Sequence, residues 1–434
     1  MAGLSELQSL NAEVNHQRSL FRHPLDFFLV MRQYWAMGNY MLRKFGLKSW
    51  YSFWHTKLFV ADEGGEYDLT APFLKRFPWL LRKPFKIEIE HSTVCNKHCT
   101  FCMHSHWQER QEQMPLERFK YILDSIPSLR WLNIAGIGSA FLHREFIGML
   151  EYARKRHINV NFVDEFDFFD EEKARRIIEL GINSIYVSFD AAQKETYEMM
   201  KKGCSFDRSL SNIRLLLDLK ERMGSPFPVV HFRYLVTRLN YREMPDYIEL
   251  IASLPNRGVR ARVEFIGLIT FPGVEEHYLP LSEIPEEIMS RVYENSLRHG
   301  MNLCFSHSDA SSLPSSESCV RWTEPFVLVN GEVIPDCAIL MQSRREFLRR
   351  SSFGNALKTP FMQIWNSRRY RDFRSHVVKT GTKLPRSCES CCAFNVSVRM
   401  DRYGVTDEFL SPIAADAAST SSSTGGAGVC EGGK

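Results

Sequence analysis

Residues 85–102 run Phe85-Lys-Ile-Glu-Ile-Glu-His-Ser-Thr-Val-Cys95-Asn-Lys-His-Cys99-Thr-Phe-Cys102, a short apolar stretch that passes directly into three closely spaced cysteines. Outward from it, apolar, β-branched runs recur at Trp131–Ala135, Val160–Val163, Ser184–Phe189, Val229–Val236 and Arg262–Leu268. Helical periodicity fills the gaps at 115–126, 145–156, 170–180, 207–223 and 242–253. Six strands separated by helices predict parallel βαβ units with right-handed crossovers. The expected fold class is therefore α/β, a partial (β/α)6 TIM-like barrel rather than a closed eight-stranded one. Functional groups in such folds collect at the C-terminal ends of the strands.

The remaining chain divides around this core. At 434 residues, two to three domains are expected. Residues 1–82 carry Phe21, Phe27, Phe28, Trp35, Trp50, Trp54 and Trp79 among Arg22, Arg32, Arg43, Lys44 and Lys48. Positions 26–45 predict an amphipathic helix with Phe27, Val30, Met31, Tyr34, Trp35 and Met41 near one face. This N-terminal helical extension is expected to pack on the core, with a peripheral membrane contact as the second reading. The core spans 83–310. Residues 311–400 form a small α+β region whose hairpin, Phe326 to Ile334, is signalled by Asn330-Gly331 between apolar runs. The Ser/Thr/Ala/Gly-rich tail, 401–434, is expected to be disordered.

Composition narrows the class. Charged residues at 24% and hydrophobic ones at 44% suit a globular protein, and no apolar run approaches the roughly 18 residues of a spanning helix. With Glu6, Glu13 and Asp26 near the start, no secretory signal is expected, which points to the cytoplasm. A net charge of +4 from 55 basic and 51 acidic residues is too balanced to argue for nucleic acid. Eleven cysteines, several clustered, favour metal ligation over a disulfide framework.

Cys95, Cys99 and Cys102 give a C-x3-C-x2-C loop. Three thiolates can ligate three irons of a cubane cluster and leave one iron open. Zinc would want a fourth ligand, which His98 or His104 could offer. With Phe101 before its last cysteine, the loop resembles that of the radical S-adenosylmethionine (SAM) superfamily. That resemblance implies a [4Fe–4S] cluster whose open iron binds SAM. It also implies reductive cleavage of SAM to a 5′-deoxyadenosyl radical that abstracts hydrogen from a substrate.

Further positions match the family pattern unevenly. Its second strand ends in a Gly-Gly-Glu-Pro-like turn that holds the SAM amino group. Here Ala135-Gly136-Ile137-Gly138-Ser139-Ala140 keeps Gly136 and Gly138, while Ser139 and Ala140 replace Glu and Pro. The carboxylate is lost, so SAM binding should be weak and Ser139→Glu should tighten it. Ile185 to Asp190 matches the family's fourth strand end, which makes Ser188 a candidate SAM contact and Asp190 a cap on the strand. Lys201 stands where an arginine often meets the SAM carboxylate.

In the C-terminal region Cys319 and Cys337 flank the hairpin, and Cys388-x2-Cys391-Cys392 follows. With Gly354-Asn355 and Ile364-Trp365-Asn366-Ser367, this resembles the SPASM domain or its shortened twitch relative. The resemblance implies one auxiliary [4Fe–4S] cluster on Cys319, Cys337, Cys388 and Cys391, with Cys392 an alternative to Cys391 and structural zinc an alternative to iron–sulfur. Five residues rather than the usual four separate Gly331 from Cys337. Cys204 and Cys304 are expected to be ordinary buried thiols.

On the substrate side, Asp164, Glu165 and Asp167 follow the third strand, either facing a cationic or hydroxylated substrate or capping the next helix. Arg233 and Glu264 are further candidates. The expected function is a radical SAM oxidoreductase or maturase acting on a peptide or small metabolite, served by a reducing partner such as flavodoxin or ferredoxin. The alternative is a degenerate, non-catalytic iron–sulfur or SAM-binding protein, or an electron-transfer protein. No residue identifies the catalytic acid, the base or the substrate.

Overall fold

The computed structural model describes residues 4–8, 24–59, 71–106, 110–255, 262–269, 271–306, 318–319, 321–335, 345–389, 391 and 396–411. Its centre is one nine-stranded sheet. Seven strands pair in parallel and in chain order: β1 (Lys86–Glu90), β2 (Trp131–Ala135), β3 (Asn159–Asp164), β4 (Ser184–Ser188), β5 (Val229–Val236), β6 (Arg262–Gly267) and β7 (Asn302–Ser306). The six expected strands are present; β7 is a seventh. The hairpin of β8 (Phe326–Val327) and β9 (Val333–Ile334) adds to the same sheet, β8 lying parallel to β1. Among the described residues the two outer strands do not pair, so the barrel is partial.

The helices begin with α1 (Pro24–Phe59), broken at Gly46, where φ is 79°. Along the barrel come α2 (Leu116–Asp124), α3 (Phe146–Lys155), α4 (Glu171–Leu180), α5 (Lys194–Met200), α6 (Phe206–Arg222), α7 (Met244–Ala252) and α8 (Glu286–His299). Local chemistry sets their ends. Asp170 caps α4 by accepting from the Lys173 amide, and Gly181 stops it in the left-handed region at φ 62°. In α1, Tyr34, Met37, Met41 and Phe53 bury against Phe227, the packed arrangement. Trp35 points the other way, 65% exposed. The side chains of Phe27 and Val30 lie outside the described residues.

The two faces of the sheet differ. On β5 the residues Val230, Phe232, Tyr234 and Val236 are buried beneath the helices, whereas His231, Arg233 and Leu235 alternate with them and stay half-buried on the inner face. That inner face is polar. Asn133 donates to Glu88 (3.0 Å), and Asn161 donates to Asn133 (3.2 Å), one row across β1, β2 and β3. Nearer the C-terminal strand ends, Ser188, Arg233, Glu264 and Cys304 stand side by side in register.

Past the barrel come α9 (Arg368–Val378), which packs on Trp365 through Tyr370 and Arg374, and α10 (Val396–Tyr403). The Arg374 guanidinium lies 3.6 Å from the Trp365 ring centre, and Phe353 stacks on Tyr370 at 4.1 Å. The fully buried Arg399 donates to the carbonyls of His376, Val377 and Thr382, closing the end of α9. Residues 401–411, expected as the start of a disordered tail, instead end α10 and bury Phe409 against Phe373; residues 412–434 lie outside the described residues.

Candidate functional site

The loop after β1 is strapped to the turn after β2. Gly138 donates its amide to the Ser92 carbonyl and Ser139 to that of Val94, each at 3.1 Å. The strap needs glycine. A Cβ on Gly138 would meet the Ser92 carbonyl oxygen at 2.6 Å, and Gly136, at φ 134°, would drive one to 2.9 Å from Glu90 Cγ. Both glycines singled out in the sequence therefore hold the cysteine loop rather than standing apart from it.

Beyond the strap the chain presents its three cysteines. Cys102 donates its amide to the Cys99 carbonyl (3.1 Å), and the Ser105 hydroxyl donates to the same carbonyl (2.8 Å). His98–Cys99 pairs antiparallel with Lys201–Lys202, so the loop is also tied to the end of α5. Burial pushes all three thiols up, Cys95 to about 11. A thiol that burial discourages from ionising becomes a thiolate when a cation binds it. The imidazoles that zinc would need are poorly placed: His98 is exposed and His104 is engaged by Gln111 at 3.0 Å. The donor set, sulfur alone on a short loop, fits an iron–sulfur cubane.

Ser188, Asp190 and Lys201 come together, but not as expected. The Lys201 ammonium donates to the Ser188 carbonyl (2.6 Å), to its hydroxyl (2.9 Å) and to Asp190 Oδ2 (2.8 Å). All three N–H groups are used within the protein and the lysine is buried. Burial works against its charge, yet Asp190 holds its pKa well above the usual lysine value. Asp190 Oδ1 also accepts from the Leu235 amide at 2.7 Å. The trio is a strut joining the ends of β4 and β5 to the ribbon that carries Cys99.

The acidic run divides into separate roles. Asp164 is buried and accepts from the amides of Phe166 (2.7 Å) and Ala140 (2.9 Å); burial, with Glu165 beside it, raises its pKa. Asp167 is buried against Lys97 (3.1 Å) and Arg208 (2.7 Å). Both are tied inside the protein, so neither of the two roles expected of them is seen: they do not lie open to a substrate, and the next helix is capped by Asp170. Glu165 bonds Lys97 at 3.0 Å and accepts from the Ser139 hydroxyl at 2.9 Å. Sequence reasoning missed Lys97, which lies inside the C-x3-C loop and carries no motif of its own.

Arg233 donates to Glu264 (2.8 Å) on the inner face and lies 3.8 Å over the Tyr186 ring. Burial opposes the Glu264 charge, but Arg233 and Arg262 hold its pKa down to about 2. Cys304 is half-buried on the same row, while Cys204 is buried.

In the C-terminal region Cys319, Cys388 and Cys391 are buried, and no disulfide forms among the described cysteines. Cys319 donates its amide to the Val377 carbonyl, and Cys391 to that of Cys388, each at 3.0 Å. The hairpin turn demands its glycine, because a Cβ on Gly331 would lie 2.6 Å from Leu357. Cys337 and Cys392 lie outside the described residues.

Comparison with known proteins agrees with this geometry. Residues 89–251 match the radical SAM superfamily, and residues 319–392 match SPASM, an iron–sulfur cluster-binding domain. A relative in Pyrococcus furiosus, a tungsten-containing aldehyde ferredoxin oxidoreductase cofactor-modifying protein, is 25% identical over 73% of this chain and 91% of its own length. The mycofactocin maturase of Mycobacterium tuberculosis is 23% identical over 42% of this chain and 46% of its own length. Among solved structures, Streptococcus suis SuiB bound to SAM superposes with a TM-score of 0.55 over 77% of each chain at 15% identity, a likeness of fold. A cysteine loop strapped to a glycine turn at the mouth of a partial barrel, followed by a second cysteine region, places the chain in the radical SAM superfamily, as an enzyme carrying a SPASM domain with SAM and iron–sulfur clusters as its cofactors.

Proposed function

We propose that the protein is a radical SAM maturase acting on a peptide. Cys95, Cys99 and Cys102 would hold the SAM-binding [4Fe–4S] cluster; Cys319, Cys337, Cys388 and Cys391 would hold one auxiliary [4Fe–4S] cluster. The carrying observation is that the loop of Cys95 is bonded to the Gly136–Ser139 turn while Cys99 is paired to the strand of Lys201, which grips Ser188. One site thus gathers the ends of β1, β2 and β4. When bound, the reduced cluster and SAM supply a 5′-deoxyadenosyl radical that takes a hydrogen atom from the substrate.

The chain's own residues would orient and enclose. Gly136 and Gly138, whose missing side chains let Glu90 and Ser92 close in, would hold the turn beside the cysteine loop so that its backbone can meet SAM. Ser188 offers its hydroxyl, and Lys201 and Asp190 fix that hydroxyl in place. Arg233 and Glu264, next in register to Ser188, present a paired donor and acceptor that suit a peptide amide or polar side chain. A peptide is supported by the fold neighbour SuiB, solved bound to its precursor peptide SuiA. The Pyrococcus relative, named for modifying a cofactor, favours a small-molecule substrate as the second reading. We assign residues 83–310 to the radical SAM core and 311–400 to the auxiliary region, with β8 and β9 of the latter completing the core sheet. Two clusters on reduced thiols suit the cytoplasm and a flavodoxin- or ferredoxin-like donor. Among the described residues, no helix is long and apolar enough to cross a membrane.

The test is anaerobic reconstitution followed by dithionite and SAM, with release of 5′-deoxyadenosine measured. Addition of deuterated candidate precursor peptides should transfer deuterium into that product. An intact cluster that binds SAM and releases none would establish the non-catalytic alternative.

A further inference from the structure

We propose that Glu165, at the end of β3, supplies the carboxylate for the SAM ammonium group that the turn after β2 lacks. The proposal rests on the radical SAM reading of the site. Ser139 occupies the position where the family pattern has glutamate. Its hydroxyl donates to Glu165 Oε1 at 2.9 Å, so the Glu165 carboxylate ends within one hydrogen bond of the side chain that replaced the glutamate. The neighbouring strand thereby delivers an anion to the space the turn would otherwise have filled.

The surroundings keep that carboxylate in place and partly open. Lys97, from the cysteine loop, sits 3.0 Å from Glu165 and 3.1 Å from Asp167. Asp167 is completely enclosed and also bridged by Arg208, so it takes up much of the positive charge. The side chains of Lys97 and Asp167 are 2% and 0% exposed; that of Glu165 is 14% exposed. Its Oε1 receives both Ser139 and Lys97, whereas Oε2 has no hydrogen-bond partner among the described residues. Asp167 Oδ2 is also without a hydrogen bond but is enclosed, so Glu165 is the carboxylate of this cluster whose unbonded oxygen belongs to a partly exposed side chain.

This arrangement reverses the expectation for Ser139→Glu. Ser139 is buried at 3% exposure, and a second carboxylate there would face Glu165 directly. Like charges in such a site repel, so the single substitution should not tighten SAM binding. Moving the carboxylate back, with Ser139→Glu and Glu165→Gln together, should.

The experiment uses the full-length, anaerobically reconstituted protein, with iron counted per chain. Affinity is measured by calorimetry for SAM and for a SAM analogue lacking the α-amino group. Glu165→Gln should weaken SAM about ten- to a hundredfold, the worth of one charge-assisted hydrogen bond. Its iron content should not change, and binding of the deaminated analogue should be the same as in wild type. The double variant should recover most of the loss. Should Glu165→Gln lose iron, Glu165→Asp, which keeps the charge on Lys97, is read instead and should weaken SAM without weakening the analogue. Wild-type affinity for SAM in the iron-loaded variant, or an equal loss for both ligands, overturns the role of Glu165. A wild-type protein that holds its cluster but binds neither ligand overturns the SAM-site reading itself.

Discussion

Replacing Gly138 by alanine tests whether the cysteine loop is held by the glycine turn. The new Cβ would lie 2.6 Å from the Ser92 carbonyl oxygen, 2.8 Å from its carbon and 2.9 Å from its hydroxyl. The first two are backbone atoms, and the hydroxyl is held in place by accepting from the Val94 amide at 2.9 Å. Relief needs the two segments to part by roughly 0.6–0.8 Å, enough to stretch the 3.1 Å bonds from Gly138 to Ser92 and from Ser139 to Val94 beyond useful length. Two bonds at about 1 kcal/mol each, with overpacking strain of about 1–3 kcal/mol, predict a loss of about 3–5 kcal/mol. Because Cys95 follows Val94 directly, iron loading should fall as well. Urea unfolding of the metal-free protein gives the stability, and iron per chain after reconstitution gives the loading. Gly148→Ala is the control: it lies inside α3, its Cβ would meet only Leu116 Cδ2 closely, at 3.2 Å, and it should be neutral or stabilising by up to about 1 kcal/mol. A Gly138→Ala protein as stable and as iron-loaded as wild type would refute the strap.

Anaerobically purified protein should carry about eight irons per chain, the sum of two cubanes, and single Cys95, Cys99 or Cys102→Ala variants about four; four irons plus one zinc in wild type would make the C-terminal site structural zinc. Lys201→Met should destabilise even the metal-free protein by about 3–5 kcal/mol, since it leaves Asp190 buried without a cation; unchanged stability in urea would show a lysine that serves SAM alone. Burial, with His143 nearby, lowers His91 to about 3, so above the unfolded value of 6.5 both states are neutral and the group costs nothing. Below about pH 6.5 the unfolded chain gains a proton the folded one refuses, and stability should fall by up to about 1.4 kcal/mol per pH unit toward pH 3. His91→Phe should remove that part of the slope; equal slopes in the two proteins would rule it out.

The core helices were legible because their ends are written locally. Asp170 and Gly181 bracket α4 within the ten residues they delimit, and any chain with those caps would stop there. The first six strands were legible from their β-branched runs. Strand β7, Asn302-Leu-Cys-Phe-Ser306, lacks such a run and forms because β6 offers it an edge. The hairpin was visible from Asn330-Gly331, but its union with the barrel was not. That union depends on Glu88 facing Phe326 and on Glu90 accepting the Val329 amide, contacts made across more than 230 residues.

The same division runs through the site. Cysteine spacing is local, so the loop could be read directly. Charge is not, because a charged residue in sequence carries no record of whether its partner is a ligand or the protein itself. Lys201 and Asp190 looked like two separate candidates and are one ion pair. Ser139 looked like a loss, because the turn was read alone, while the next strand brings Glu165 to its hydroxyl. A parallel barrel makes such exchange easy. Each strand end lies beside its neighbour at the same depth, so a side chain missing from one can be supplied by the next without moving the backbone. A motif position in this fold is therefore a location at the barrel mouth, and the strand that fills it is free to change.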